Sequence, residues 1–253
     1  MSKESRSAHV ISTKREFSAE LVIQRPLGII PLTKTSSDSY PPATNADVGR
    51  DRMYSVQGLS FSTSRTFRGH IVMKIEQTPL AGVLLIKPKI FEDSRGRFCE
   101  LWNQKTMSDF GVTGPFVQDN FSVSAKNVLR GIHYQIDQPQ GKLVRVAFGE
   151  VLDVAVDLRC SSPTFGKHFA TTLTEAGGET LWIPEGFGHG FLALSERVGF
   201  LYKVTNYYSP AGERTIAWDD PDLSIQWPVD SQEIILSGKD RAGARLAQAE
   251  VFA

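Results

Sequence analysis

What this chain lacks narrows it first. It has two cysteines in 253 residues, Cys99 and Cys160, far apart. One pair at most is no disulfide framework, and a reducing, cytoplasmic setting fits such usage. It has no net charge, with 28 basic and 28 acidic residues. That excludes a polybasic protein built for nucleic acid or a membrane surface and leaves room only for a local basic pocket. No apolar run approaches the length of a membrane span, and the N-terminus carries no charged-apolar-small secretory pattern. No repeat of fixed period is visible, and no glycine-rich dinucleotide fingerprint follows a strand.

Residues 1–72 are also poor in periodicity. Eighteen of the 72 are Ser or Thr, and Tyr40-Pro41-Pro42 interrupts the middle. The expectation is a flexible extension, or translated sequence upstream of a start at Met73. Its Ser and Arg content resembles an organelle transit peptide, and its six acidic residues oppose that reading. Taking away its ten basic and six acidic residues leaves 18 and 22 in residues 73–253, a net of −4. An anion site there has to be a cluster.

From Gly82 the texture becomes that of short strands divided by Gly, Pro, Ser and Asn. Val83–Ile86, Arg97–Trp102, Phe116–Ser122, Val128–Gln135, Lys142–Phe148, Val151–Leu158, His168–Leu173, Thr180–Ile183, Gly190–Leu194, Gly199–Tyr208 and Thr215–Trp218 all read as strands. Gly149-Glu150 signals a hairpin. In the strand that follows, Leu152, Val154, Val156 and Leu158 alternate with Val151, Asp153, Ala155 and Asp157, which predicts one buried face. Asn103–Gly111 predicts one helical turn ended by glycine, and Pro221–Trp227 with the charged tail after Asp240 predicts loops and a short helix. Many strands with so little helix predict an all-β sandwich or barrel in one unit, residues 73–253.

The stretch Val128-Leu129-Arg130-Gly131-Ile132-His133-Tyr134-Gln135 sets a histidine, a side chain that titrates near neutrality, behind a glycine that suggests a bulge. Arg130 and His133 have opposite parity, so both reach one pocket only if the chain bulges near Gly131. Ile183–Gly190 has the P-x-G-x-x-H form of the second signature of cupins, the jelly-roll family. Metal-using cupins supply H-x-H at the first signature, where this chain has His133-Tyr134-Gln135. Glutamine is a poor substitute for imidazole, His9 and His70 lie in the extension, and His168 is on another strand. Two histidines fall short of the three protein ligands a catalytic metal usually wants, so a metal-free site is expected. Tyr202 and Tyr208 share parity on one strand and hence are expected on one face.

Nine segments in order carry a resemblance: FEDSRGRFCE, FVQDNFSVS, NVLRGIHYQ, QGKLVR, GEVLDVAVDLR, SPTFGKHF, LWIPEGFGHGF, FLYKVTNYYSP and LSGKD. Together they resemble the dTDP-4-dehydrorhamnose 3,5-epimerases of deoxysugar biosynthesis, from about Val83 to Asp240. The resemblance implies a cupin-type jelly roll (a double-stranded β-helix) with a few short helices, and a reaction needing no cofactor. It implies that His133 is the base, Asp240 the carboxylate that orients it, Lys142 the cation near the enolate oxygen, and Tyr202 the proton donor on the opposite face. Arg95, Arg130 and Lys239 match positions that address the diphosphate; Gln118, Asn120, Glu100 and Glu213 match polar contacts to the nucleotide. His189 matches a sugar-side position and Tyr208 the residue that stacks on thymine. The implied partners are a dTDP-4-keto-6-deoxyhexose and a second copy of the chain, with Arg95 and Glu100 serving in trans. Cys99 and Gly188 depart from the family's pattern without touching the proton path.

Three other readings compete: an epimerase that inverts a single carbon of a related sugar, a non-catalytic sugar-nucleotide binder, and a metal-dependent cupin. Binding alone would need no base–acid pair.

Overall fold

The computed structural model describes residues 73–253, and the expectation of a flexible extension or upstream sequence falls on 1–72, outside them. The described chain is a succession of strands: β1 (Met73–Gln77), β2 (Leu84–Pro88), β3 (Ile90–Asp93) and β4 (Gly96–Cys99). After a short helix α1 (Gln104–Ser108) come β5 (Gln118–Ala125), β6 (Leu129–Gln135), β7 (Lys142–Phe148) and β8 (Glu150–Asp157). Then follow β9 (His168–Thr174), β10 (Thr180–Ile183), β11 (Phe187–Ala193), β12 (Arg197–Val204) and β13 (Glu213–Thr215). A single-turn helix α2 (Gly238–Arg241) and a 3₁₀ turn, Leu246–Gln248, close the chain. The α1 turn is where Asn103 predicts it, the Asn103 side chain accepting the Thr106 N–H at 3.2 Å.

The pairing is nested. β5 pairs β12, β6 pairs β11, β7 pairs β10 and β8 pairs β9, all antiparallel. Successive pairs alternate between a six-stranded sheet, β1-β2-β10-β7-β12-β5, and a five-stranded sheet, β13-β6-β11-β8-β9. A long hairpin rolled up so that alternate layers fall in opposite sheets is the jelly roll expected from the sequence. Its core lies between the sheets, with Val144, Val146, Leu181 and Phe200 from one meeting Val151, Ala155, Leu173 and Phe191 from the other. Burial of the Val, Leu and Phe side chains among these contributes about 1.5–3 kcal/mol apiece.

Two local expectations are corrected. Lys142–Phe148 and the strand after Gly149 do not form a hairpin: β7 and β8 belong to different sheets. Gly149, at φ +85°, turns the chain across the sandwich, where a Cβ would come within 2.5 Å of the Arg197 carbonyl. Nor does β8 have one buried face. Val151, Asp153 and Ala155 face the inter-sheet interior, while Val154, Val156 and Leu158 pack under Leu223, Ile225, Leu246 and Phe252 of the C-terminal segment. Asp153 is thus on the inner face.

The third correction concerns the tyrosines. β12 ends at Val204, so Tyr208 stands on the following loop and shares no strand face with Tyr202. The β3–β4 hairpin forms its own two-stranded sheet, and Phe98 on it is 70% exposed.

Candidate active site

The bulge required by parity is present. Opposite β11, His133 pairs with His189 and Arg130 with Phe191, so three steps along β6 match two along β11. Gly131 takes φ +131° and lies so close to β11 that an added Cβ would stand 2.4 Å from the Gly190 Cα. The irregularity turns Arg130 and His133 into one cavity of about 410 Å³. That cavity is also lined by Lys142, Tyr202 and Asp240, and by Asn120, His189, Tyr208, Glu213 and Lys239. All four expected catalytic residues are therefore in one place, with six of the nine expected binding residues.

Gln118, Arg95 and Glu100 are outside the lining. Gln118 sits directly behind it, its amide donating to the Asn120 Oδ1 at 2.9 Å and accepting the Tyr208 N–H at 3.2 Å. Arg95 is at the tip of the β3–β4 hairpin, ion-paired with Asp93 at 2.6 Å, and Glu100 follows that hairpin.

His133 Nε2 is 2.5 Å from Asp240 Oδ1. The carboxylate is delivered from far along the chain by α2, whose N-cap Ser237 accepts the Asp240 N–H at 3.2 Å and donates its hydroxyl to Oδ2 at 2.6 Å. Burial pushes the Asp240 carboxyl up, yet the hydrogen bonds from His133 and Ser237 prevail and hold it at about 2. An ionised Asp240 can only accept, so Nε2 carries the ring proton and Nδ1 keeps a lone pair. Burial pushes the imidazole below its ordinary value, and the cations Lys239 and Lys142 add to this; the hydrogen bond to Asp240 opposes them and is outweighed. The neutral form of the His133 ring is thus favoured.

Lys142 is 8% exposed and donates to the His133 carbonyl at 3.1 Å. Burial lowers its ammonium to about 8, with Asp153 and Glu213 pulling the other way. Burial likewise raises the Tyr202 phenol, which keeps it protonated and able to donate. The inner wall is apolar, with Phe191 and Phe200 stacked at 4.1 Å and His189 lying over Phe200 at 6.0 Å.

At the mouth, Glu213 accepts from Lys239 at 2.7 Å and from the Tyr208 hydroxyl at 3.0 Å. Burial raises the Glu213 carboxyl, but Lys239, the Tyr208 hydroxyl and His133 together outweigh it, and the net shift is downward. Arg130 is steadied by the Ser124 hydroxyl, which accepts from its Nε at 3.0 Å.

Sequence reasoning missed Asp153, Ser237, Gln135 and Gln140. Asp153 is fully buried and bonds His189 Nε2 at 3.0 Å; its parity put it on the same side as Val151, which read as the solvent side. Ser237 was recoverable, because Ser237-x-x-Asp240 has the spacing of a capping box. Each pocket histidine thus has its Nε2 committed to a carboxylate. Among the described residues, no group of three or more His, Cys, Asp or Glu side chains has the geometry to hold a metal ion.

A family model described as dTDP-4-dehydrorhamnose 3,5-epimerase matches residues 77–248. A protein of that name from Salmonella typhimurium is 52% identical over 180 residues, covering 70% of this chain and 98% of the relative. Its namesake from Pseudomonas aeruginosa is 49% identical over 181 residues, covering 71% and 99%. Among solved structures, a dTDP-6-deoxy-D-glucose-3,5-epimerase from Legionella pneumophila, in complex with dTDP-4-keto-L-rhamnose, superposes with a TM-score of 0.68 at 47% identity. It covers 70% of this chain and 95% of that one.

Proposed function

The chain belongs to the dTDP-4-dehydrorhamnose 3,5-epimerase family, and we propose that it converts dTDP-4-dehydro-6-deoxy-D-glucose to dTDP-4-dehydro-L-rhamnose by inverting C3 and C5. Both carbons flank the C4 carbonyl, so each carries a hydrogen that becomes acidic once the resulting enolate is stabilised. His133 Nδ1 takes the proton, the C–H pair becomes the C=C bond, and the carbonyl oxygen becomes the enolate oxygen. Asp240 holds the ring and favours the imidazolium that forms. Lys142 meets the developing negative charge, and Tyr202 gives a proton to the carbon from the opposite face. The observation that carries this reading is the 2.5 Å His133–Asp240 contact in the cavity that Lys142 and Tyr202 also line.

Around that centre, Arg130 and Lys239 are the groups for the diphosphate, since each brings a cation to the mouth. Asn120, Gln118 and Glu213 address the nucleotide, Tyr208 stacks on thymine, and His189 faces the sugar. Arg95 and Glu100 reach the pocket of a second copy in a homodimer. The projecting β3–β4 hairpin, and Phe121 and Val123 exposed on the outer face of β5, support that arrangement. The reaction needs neither a metal nor a redox cofactor. Two unpaired cysteines fit work in the cytoplasm, and among the described residues no helix is long and apolar enough to cross a membrane.

The test is turnover of the keto sugar nucleotide in deuterium oxide, with the label located at each carbon. Deuterium at both C3 and C5 with inversion is expected; label at one carbon only would reject the double epimerase. In Tyr202→Phe, the base can still remove and return a proton on its own face. Exchange without inversion is then expected, and full inversion would remove Tyr202 from the donor role.

A further inference from the structure

Tyr208 is 52% exposed and stands on a loop with no regular structure, between β12 and β13. A ring used as a stacking platform has to be held in place before the ligand arrives, or ordering it costs affinity. The loop's backbone, however, has few partners of its own. Gln118 on β5 accepts the Tyr208 N–H at 3.2 Å, and the rest of what fixes it comes from the end of β6 and the turn after it.

Gln135 is the last residue of β6 and is 4% exposed. Its carbonyl oxygen accepts the Ser209 N–H at 2.9 Å, and its amide donates to the Tyr207 carbonyl at 3.2 Å. The same amide donates to the Gln138 carbonyl at 2.9 Å. One buried side chain thus pins the residue before Tyr208 and the residue after it. Further along, Gln140 donates to the Asn206 carbonyl at 2.8 Å, Asn206 donates to the Pro139 carbonyl at 2.9 Å, and the Thr205 hydroxyl accepts the Gly141 N–H at 2.8 Å. In addition, Gln135 pairs across β6 and β13 with Glu213, the carboxylate that accepts from the Tyr208 hydroxyl.

We propose that Gln135 is the positioning residue for nucleobase recognition: its buried amide aims the Tyr208 ring, while the side chains for the diphosphate and for proton transfer take their hydrogen bonds from other partners. Arg130 rests on Ser124, and Lys239 and Asp240 come from α2, so none depends on this amide. The inference rests on Tyr208 as the thymine platform. It predicts that damage at Gln135 is read as lost selectivity for the base and not as lost chemistry.

The experiment compares affinity for dTDP and for inorganic pyrophosphate by titration calorimetry in wild type, Gln135→Met and Tyr208→Ala, with kcat and KM measured for the first two. Methionine keeps the volume and removes all three hydrogen bonds. Gln135→Met should weaken dTDP and raise KM about tenfold, the scale of leaving buried backbone partners unmet. Pyrophosphate affinity and kcat should stay within about twofold. Equal weakening of dTDP and pyrophosphate, or unchanged dTDP affinity alongside a weakened Tyr208→Ala, overturns the inference by itself. Tyr208→Ala binding dTDP as wild type does removes the nucleobase reading and the inference with it. Should the Met variant fail to fold, Gln135→Glu keeps the acceptor for Ser209, loses the donors, and faces the same criteria.

Discussion

His133 and His189 are direct partners across β6 and β11, yet each ring is tied to a different carboxylate, Asp240 at 2.5 Å and Asp153 at 3.0 Å. Adjacent imidazoles on a jelly roll would suit a shared metal ion. Here each Nε2 is oriented by its own carboxylate. The first partner comes from the C-terminal helix turn, the second from the strand next to β11.

Removing the imidazole proposed as the base should separate chemistry from binding. His133→Ala is expected to lower kcat by about 10³-fold, within the range for a lost general base, while dTDP affinity changes by less than about twofold. Asp240→Asn keeps a hydrogen-bonding shape without the charge and should cost about 10²-fold. Steady-state kinetics beside dTDP titration checks both, and a His133→Ala enzyme with wild-type turnover would exclude the imidazole from the reaction.

The pH profile of kcat/KM should be bell-shaped, reporting the free enzyme. The rate rises as His133 loses its proton, with a midpoint below the ordinary imidazole value of 6.5 because burial disfavours the charged ring. It falls as Lys142 loses its proton at about 8. A profile flat from pH 7 to beyond 9 would take Lys142 out of the oxyanion role.

Lys142 also bears on stability. A drop from 10.5 to about 8 corresponds to about 3 kcal/mol against charging the buried ammonium. The folded pKa lies below the unfolded one, so the penalty is full below pH 8 and fades between about 8 and 10.5. Lys142→Met should therefore abolish most turnover and yet raise unfolding free energy at pH 7 by about 1–3 kcal/mol. That gain should shrink as the pH is raised through this window, as denaturant titration at pH 7 and 9.5 would reveal. For Asp240 the sign is reversed: its carboxyl, held at about 2, contributes stability above its usual 3.8 that is lost as the pH falls through 2.

At Gly131, a side chain has no room. With φ +131° and β11 backbone within 2.4 Å of an added Cβ, Gly131→Ala should destabilise the fold on the order of 3 kcal/mol and disrupt the site together with it. Thermal unfolding measures the first effect. A variant with wild-type melting and activity would mean that the bulge can form without glycine.

Much of this protein was legible before any coordinates. Strand-length apolar runs, the bulge required by the opposite parity of Arg130 and His133 and the helical turn after Asn103 all depend on residues close in sequence, where local geometry decides; the roles of the site residues came from the resemblance of nine ordered segments to a known family. What only the tertiary structure decided depends on which layers meet. Whether Gly149 makes a hairpin or a crossing is set by the sheet that receives β8, and β8 reads as half-exposed until Leu223, Ile225, Leu246 and Phe252, far along the chain, cover its outer face. The same long-range docking brings Asp240 to a histidine 107 residues away and buries Asp153 against His189. Periodicity tells which side chains share a face, and only packing tells which face is inside.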